Sequence, residues 1–251
     1  MRYAIFDIET RIDKRLLNET LYRGMGLAEE EAYSRHRELL ITERGSDFFP
    51  VSFHVPISIA IGSVAPDHAL EGVEILAREE YSEERLAREF WDRVERFPGC
   101  LVSFNGRNFD LPVLELQALR WGCVAPRYFG QSDYRHRYRQ EKHYDLYEFV
   151  TNYGMYRVRG GFDLVQRLVG LEGKGDIDGS KVQDLWEAGR LDDVHRYCAR
   201  DVIQTYLLFL RVELVRGRVS RERCDELIER ARALREQFAD GVFAAPAKAG
   251  G

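Results

Sequence analysis

"AIFDIET", residues 4–10, is an apolar run that meets two acids, Asp7 and Glu9, with one isoleucine between them. The run reads as a buried strand. Side chains on a strand alternate between faces, so the two carboxylates point the same way, roughly 7 Å apart along the chain. Burying two like charges on one face is costly unless one of them takes up a proton or a cation sits between them. Two readings are open at this point. Either the strand ends here and the acids face water, with Thr10 starting a turn, or the pair ligates a metal ion.

With 251 residues the chain can bury a full core, and it contains neither an internal repeat nor an interdomain linker, so one domain is expected. A composition of 45% hydrophobic and 31% charged residues is that of a soluble globular protein. No apolar run approaches the roughly 18 residues of a membrane span. The first residues, MRYAIFDIET, lack the pattern of a secretory leader, so a cytoplasmic protein with no membrane partner is expected. Cys100, Cys123, Cys198 and Cys224 form no CxxC pair, which argues against a zinc site and suits small core residues in a reducing compartment. The net charge of −5 does not advertise nucleic acid. Residues 134–143, "YRHRYRQEKH", are a local exception: they interleave basic side chains with two tyrosines, a pattern that suits either phosphates and stacked bases or a solvated loop.

The short β-branched stretches "YAIFDI", "ISIAIGSV", "GVEILA" and "CLVSFN" predict four strands. Between the third and fourth, "SEERLAREFWDRVERF" carries Leu86, Phe90, Trp91, Val94 and Phe97 at helical spacing behind an N-cap serine, Ser82. "DLPVLELQALRWG" predicts a helix with Pro112 in its first turn and Gly122 at its end. From about residue 145 helical patterns dominate. The order implies an α/β domain with a helix-rich C-terminal half. Residues 13–45 are expected to be a charged helical insertion between the first two strands, residues 213–243 a charged C-terminal helix, and residues 244–251 a flexible tail.

Two further acids stand in suggestive places. Asp110 follows the fourth strand in "NGRNFD" and opens a helix, where the helix dipole alone would favour it. In "YCARD", Tyr197 precedes Asp201 by one helical turn, so both lie on one face. If the first and fourth strands are neighbours, a packed helix brings Asp201 over Asp7, Glu9 and Asp110. Four carboxylates in one pocket call for cations, and hard oxygen donors suit two divalent ions, Mg²⁺ or Mn²⁺, the arrangement used for in-line displacement at phosphorus.

"FDIET", "NGRNFD" and "YCARD" resemble, in order, the three exonuclease motifs of the DEDD (DnaQ-like) superfamily on the RNase H-like fold. "HYDLYEF", "GKGDIDGSKVQDLW" and "YCARDVIQTYLLFLR" extend the likeness toward stand-alone proteins similar to the exonuclease domain of family B DNA polymerases, over roughly residues 1–212. The resemblance implies a mixed sheet with its first three strands antiparallel and the fourth beside the first. It also implies a 3′–5′ exonuclease that releases nucleoside 5′-monophosphates from a single-stranded 3′ end, with DNA favoured over RNA. Asp7, Glu9 and Asp201 would hold one metal ion, and Asp7 with Asp110 the second. Tyr197 would orient the attacking water. The superfamily's His type carries its histidine five residues before the last acid, where this chain has Arg196, and His195 falls on another face, so the chain resembles the Tyr type. Asn105 is expected near the 3′ terminal nucleotide and Phe109 beside it or in the core, while Lys174 would touch the backbone or lie in a plain turn. "GLEGKGDIDGSKV" lacks the spacing of a triphosphate-binding loop. Asp145 and Asp163 are read as helix-start residues, and Asp176 and Asp178 as turn residues. Two rivals share these residues: an exoribonuclease of the same fold, and a non-catalytic nucleic-acid-binding protein.

Overall fold

Tyr3–Ile12 forms β1, the middle strand of a five-stranded mixed sheet in a computed structural model that describes residues 1–173 and 181–239. The chain continues through α1 (Lys14–Leu21), α2 (Glu29–Arg44), β2 (His54–Val64), β3 (Leu70–Ile75), α3 (Glu83–Arg96), β4 (Cys100–Ser103) and α4 (Asp110–Trp121). It goes on through α5 (Pro126–Gly130), α6 (Ser132–Arg135), β5 (His143–Asp145), α7 (Leu146–Val150), α8 (Gly161–Leu168), α9 (Val182–Glu187), α10 (Leu191–Val215) and α11 (Arg221–Ala239). The strand order is β3-β2-β1-β4-β5. β2 pairs antiparallel with both β1 and β3, and β4 runs parallel to β1, as expected. The fold is RNase H-like.

Two features differ from the sequence reading. β1 does not end on its acids but runs on to Ile12. Glu9 lies opposite Ser58 and Thr10 opposite Pro56, so the register shifts immediately after Glu9. Pro56 has no N–H to give to the ladder, and a bulge is where a strand tolerates it. The second feature is β5, which pairs parallel to β4 through only three residues, too few to show an alternation in sequence.

Alternation along β1 divides the interior. Phe6 and Ile8 join Ile59, Ile61, Leu101, Phe90, Trp91 and Leu114 in a core under α3 and α4. Ile5 points to the opposite face, into a core built with Val102, Tyr144 and the α10 residues Cys198, Val202, Ile203 and Phe209. Asp7 and Glu9, in step with Ile5, therefore face α10. Gly62, opposite Ile5 on β2, lets that helix close on the sheet: a Cβ there would stand 2.9 Å from Val202 Cγ1. Ser82 caps α3 by accepting from the Arg85 amide (3.1 Å), and Gly122 ends α4 in the left-handed conformation. The charged face of α11 hides Cys224, Leu227, Ile228 and Ala231, which are buried in the same core as α10. Residues 13–45 fold into α1 and α2, which close over Ile12, Phe49 and Phe53 with Leu17 and Leu40.

Residues 134–143 are in large part an exposed loop, but three of its arginines are paired with acids. Arg135 pairs with Glu115 (3.1 Å), Arg137 with Glu148 (3.0 Å) and Arg139 with Asp133. Tyr134 is buried, and His143 lies inside the sheet with Nε2 2.8 Å from Ser103 Oγ. All four cysteines are free thiols, with Cys100, Cys198 and Cys224 buried and Cys123 partly exposed. Among the described residues no helix is long and apolar enough to cross a membrane. The segment 244–251 lies outside the described residues.

Burial holds both His54 and His195 down to about 4, so each is neutral in the fold. Their polar partners suit the uncharged ring: Thr10 Oγ1 lies 2.7 Å from His54 Nδ1, and Ser58 Oγ lies 2.9 Å from His195 Nδ1. In the unfolded chain a histidine titrates near 6.5, so as the pH falls from there to about 4 the unfolded state takes up protons that the folded state refuses. Each ring thus contributes on the order of 2–3 kcal/mol of stability, present in full above about pH 6.5 and lost as the pH falls through about 4. Thermal melts should show a midpoint that drops across this window, and His195→Asn should make the drop shallower. A midpoint that is flat from pH 7 to 4 would contradict this assignment.

Candidate active site

Glu9 and Asp201 are 8% and 5% exposed, and Asp7 is half-buried beside them. Asp7, Glu9 and Asp201 each offer a carboxylate oxygen, and these oxygens all lie within 4.8 Å of one another. β1 supplies the first two from one face, and α10 carries the third across the sheet. The set fits a divalent cation, since its donors are all hard carboxylate oxygens, converge from two elements and are largely withdrawn from water. Cys198 packs against the Asp7 carbonyl at 3.4 Å, and burial, followed by the charges of Asp7 and Glu9, pushes its thiol well above the usual range, so it stays neutral.

Asp110 enters from the other side. It is the first residue of α4, buried to 5%, and lines with Asp7 a cavity of about 420 Å³ walled by Phe48, Phe104, Asn105, Phe109, Tyr147 and Phe162. The structure thus brings Asp110 to the cavity of Asp7 but outside the three-acid group. The loop before it is held in an unusual shape. Asn105 adopts φ 66°, which asparagine tolerates better than most residues. A Cβ on Gly106 would lie 2.3 Å from Ser103 Oγ. Asp145 secures this loop by accepting from the backbone N–H of Asn105 (2.9 Å) and of Arg107 (2.9 Å), while also accepting from Tyr147 N–H (2.9 Å) as the N-cap of α7. Burial raises the Asp145 carboxyl above its usual range, against the pull of these three donors. Arg107 reinforces the loop from behind, donating to the carbonyls of Tyr134 (2.9 Å) and His143 (2.8 Å) and pairing with Glu148 (3.0 Å).

An aromatic partition crosses the site. Phe48 is 57% exposed, and its ring lies 5.4 Å from Phe109 and 5.3 Å from His54, centroid to centroid; His54 and Phe109 meet edge to face at 4.9 Å. A second cavity of about 420 Å³, lined by Glu9, Thr10, Tyr33, His54 and Gln183, shares Ile8, Phe48 and Phe109 with the first. Phe109 is therefore a wall of both cavities and also packs on the core beneath α3 and α4. Tyr197, one turn before Asp201, is buried with Ile57, Val182 and Val194. Arg196 pairs with Asp193, and His195 turns to Ser58.

Residues 46–243 match the family described as predicted 3′–5′ exonucleases related to the exonuclease domain of PolB. The chain belongs to this exonuclease family. The match spans Asp110, Tyr197 and Asp201 and includes α11, whereas Asp7 and Glu9 lie upstream of it and reach the site through the fold. The family B DNA polymerase of the hyperthermophilic archaeon Pyrobaculum calidifontis shares the fold, with a TM-score of 0.52 and 24% identity over 85% of this chain. The chain spans 24% of that polymerase's length. No curated protein matches the chain.

Among the residues singled out in this exonuclease family member, Asp7, Asp110, Asn105 and Phe109 line the first cavity, Glu9 lines the second, and Asp201 groups with Asp7 and Glu9. Asp163 lies in the first turn of α8 and pairs with Arg167 (2.8 Å), a helix-start role as read. Lys174, Asp176 and Asp178 lie outside the described residues. Phe48 and the clamp made by Asp145 went unread. The only local sign of the first was the aromatic pair "FFP" ahead of β2, and the second depends on partners 38 and 40 residues away. Asp145→Ala leaves buried loop amides without an acceptor and should destabilise the protein by about 2–4 kcal/mol. Denaturant unfolding measures this; a loss below about 0.5 kcal/mol, within the range of an ordinary surface change, would show that the clamp holds nothing.

Proposed function

We propose that this protein is a divalent-metal-dependent 3′–5′ exonuclease that hydrolyses phosphodiester bonds at the 3′ end of single-stranded DNA and releases nucleoside 5′-monophosphates. The observation that carries the reading is the convergence of Asp7, Glu9 and Asp201, from the two ends of the chain, to within 4.8 Å. Asp7, Glu9 and Asp201 would hold one cation, Mg²⁺ or Mn²⁺, and Asp7 with Asp110 a second. When bound, such ions neutralise the carboxylates, activate water and stabilise the departing oxygen.

The chain's own groups do the rest. Tyr197, held one turn before Asp201 by its apolar neighbours, orients the attacking water. Water adds to phosphorus, the bond to the 3′ oxygen breaks, and that oxygen leaves as the new 3′ hydroxyl. Asn105 lies against the terminal nucleotide, and the rings of Phe48, Phe109 and Phe162 offer faces on which a base can stack without regard to its identity. A cavity of about 420 Å³ suits one unpaired nucleotide and not a base pair, which supports a frayed or single-stranded end. The kinship with a DNA polymerase's exonuclease domain favours DNA over RNA.

Single-stranded DNA labelled at its 5′ end should give a ladder shortening from the 3′ end in Mg²⁺ or Mn²⁺ and none in EDTA, with the matched RNA cut more slowly. Asp7→Ala and Asp201→Ala should abolish cutting. Tyr197→Phe should lower kcat by about 10- to 100-fold, the lower reach of a lost proton-handling group. A fully active Asp7→Ala would sink the assignment, and preferential digestion of RNA would replace the substrate.

A further inference from the structure

A chain of net charge −5 whose site is built from four carboxylates has to attract a polyanion, and several of its cationic side chains are already paired with acids. Arg11 pairs with Glu83, Arg120 with Asp13 (3.3 Å), Lys14 with Glu187 (2.5 Å) and Arg196 with Asp193. Arg135, Arg137 and Arg139 of the basic segment at 134–143 are paired in the same way. Arg157 and Arg159 differ. Both are exposed, and neither has an ion-pair partner among the described residues. They flank Val158, in the connection between α7 and α8, and Val158 lines the cavity of Asp7 and Asp110 next to Gly161 and Phe162.

We propose that Arg157 and Arg159 form a phosphate clamp at the mouth of that cavity, gripping the backbone of the single strand just upstream of its terminal nucleotide. With Val158 turned to the cavity, its two neighbours stand at the rim, where a strand leaving the site must pass. In an extended segment their Cα atoms are about 6.6 Å apart, which lets two guanidinium groups reach successive phosphates. Arginine suits the task because its planar fork meets phosphate oxygens in pairs. Rim cations also speed the encounter with a charged strand without adding charge beside the acids. The clamp rests on the nucleic-acid reading of the cavity.

The test is binding in EDTA, where hydrolysis does not contribute. Fluorescence anisotropy of a 5′-labelled oligothymidylate is followed over 50 to 200 mM salt with the full chain. Arg157→Gln/Arg159→Gln should raise Kd about tenfold at low salt and reduce the slope of log Kd against log salt by about 1.4, or about 0.7 for each lost contact to a single strand. Arg157→Lys/Arg159→Lys should keep most of the slope. Arg23→Gln/Arg35→Gln, which removes the same net charge from exposed positions in the 13–45 region, should keep it too. An unchanged slope in the first variant, an equal loss in the Arg23/Arg35 control, or a parent protein that does not bind the strand would each overturn the clamp. A parent that binds with the expected slope yet cuts nothing in Mn²⁺ would instead overturn the exonuclease reading and leave the clamp standing.

Discussion

Carboxylate oxygens held within 4.8 Å of one another repel, and the rest of the structure is arranged to hold them there. At that separation each pair of full charges costs about 3 kcal/mol at an effective dielectric near 20. The fold meets this cost by anchoring both contributors. β1 is fixed on each side, by β2 and by β4, so Asp7 and Glu9 cannot swing out. α10 lies against β1, β2 and β3 with Val202 wedged over Gly62, so the residue beside it, Asp201, cannot retreat. Cys198, kept neutral by burial, packs behind Asp7, and His195 turns its ring to Ser58.

Much of this was legible in the sequence because it rests on local patterns. The alternation in β1 placed Asp7 and Glu9 on one face, Ser82 and Gly122 bounded α3 and α4, and the one-turn spacing of Tyr197 and Asp201 put both on one side of α10. Features that depend on remote partners were not legible. The bulge after Glu9 is set by Pro56, a residue of the neighbouring strand, so β1 seemed to stop where it only shifts register. The pairing of the arginines at 135, 137 and 139 was not legible because two of their partners, Glu115 and Glu148, come from α4 and α7. Asp145 showed its helix-capping role in sequence, but its second task, shaping the loop that carries Asn105, follows only from β5 lying beside β4.

The same contrast governs the charges. A net negative chain would be a poor nucleic-acid binder if its cations were spread evenly, yet here Arg11, Arg120 and Arg196 are tied to acids, while Arg157 and Arg159, which flank Val158 of the first cavity, have no ion-pair partner among the described residues. Local placement, and not overall balance, decides where a phosphate backbone can approach. The aromatic partition of Phe48, Phe109 and His54 then divides the approach into two chambers, with Asp7 and Asp110 in one and Glu9 in the other.

The central claim is that the gathered acids form a cation site, and calorimetric titration of the protein with Mn²⁺ measures it directly. Saturable binding that is lost or weakened at least tenfold in Asp7→Ala and in Asp201→Ala, with both variants still folded, is the predicted result. Binding that is absent in the parent protein, or that survives both substitutions unchanged, would contradict it.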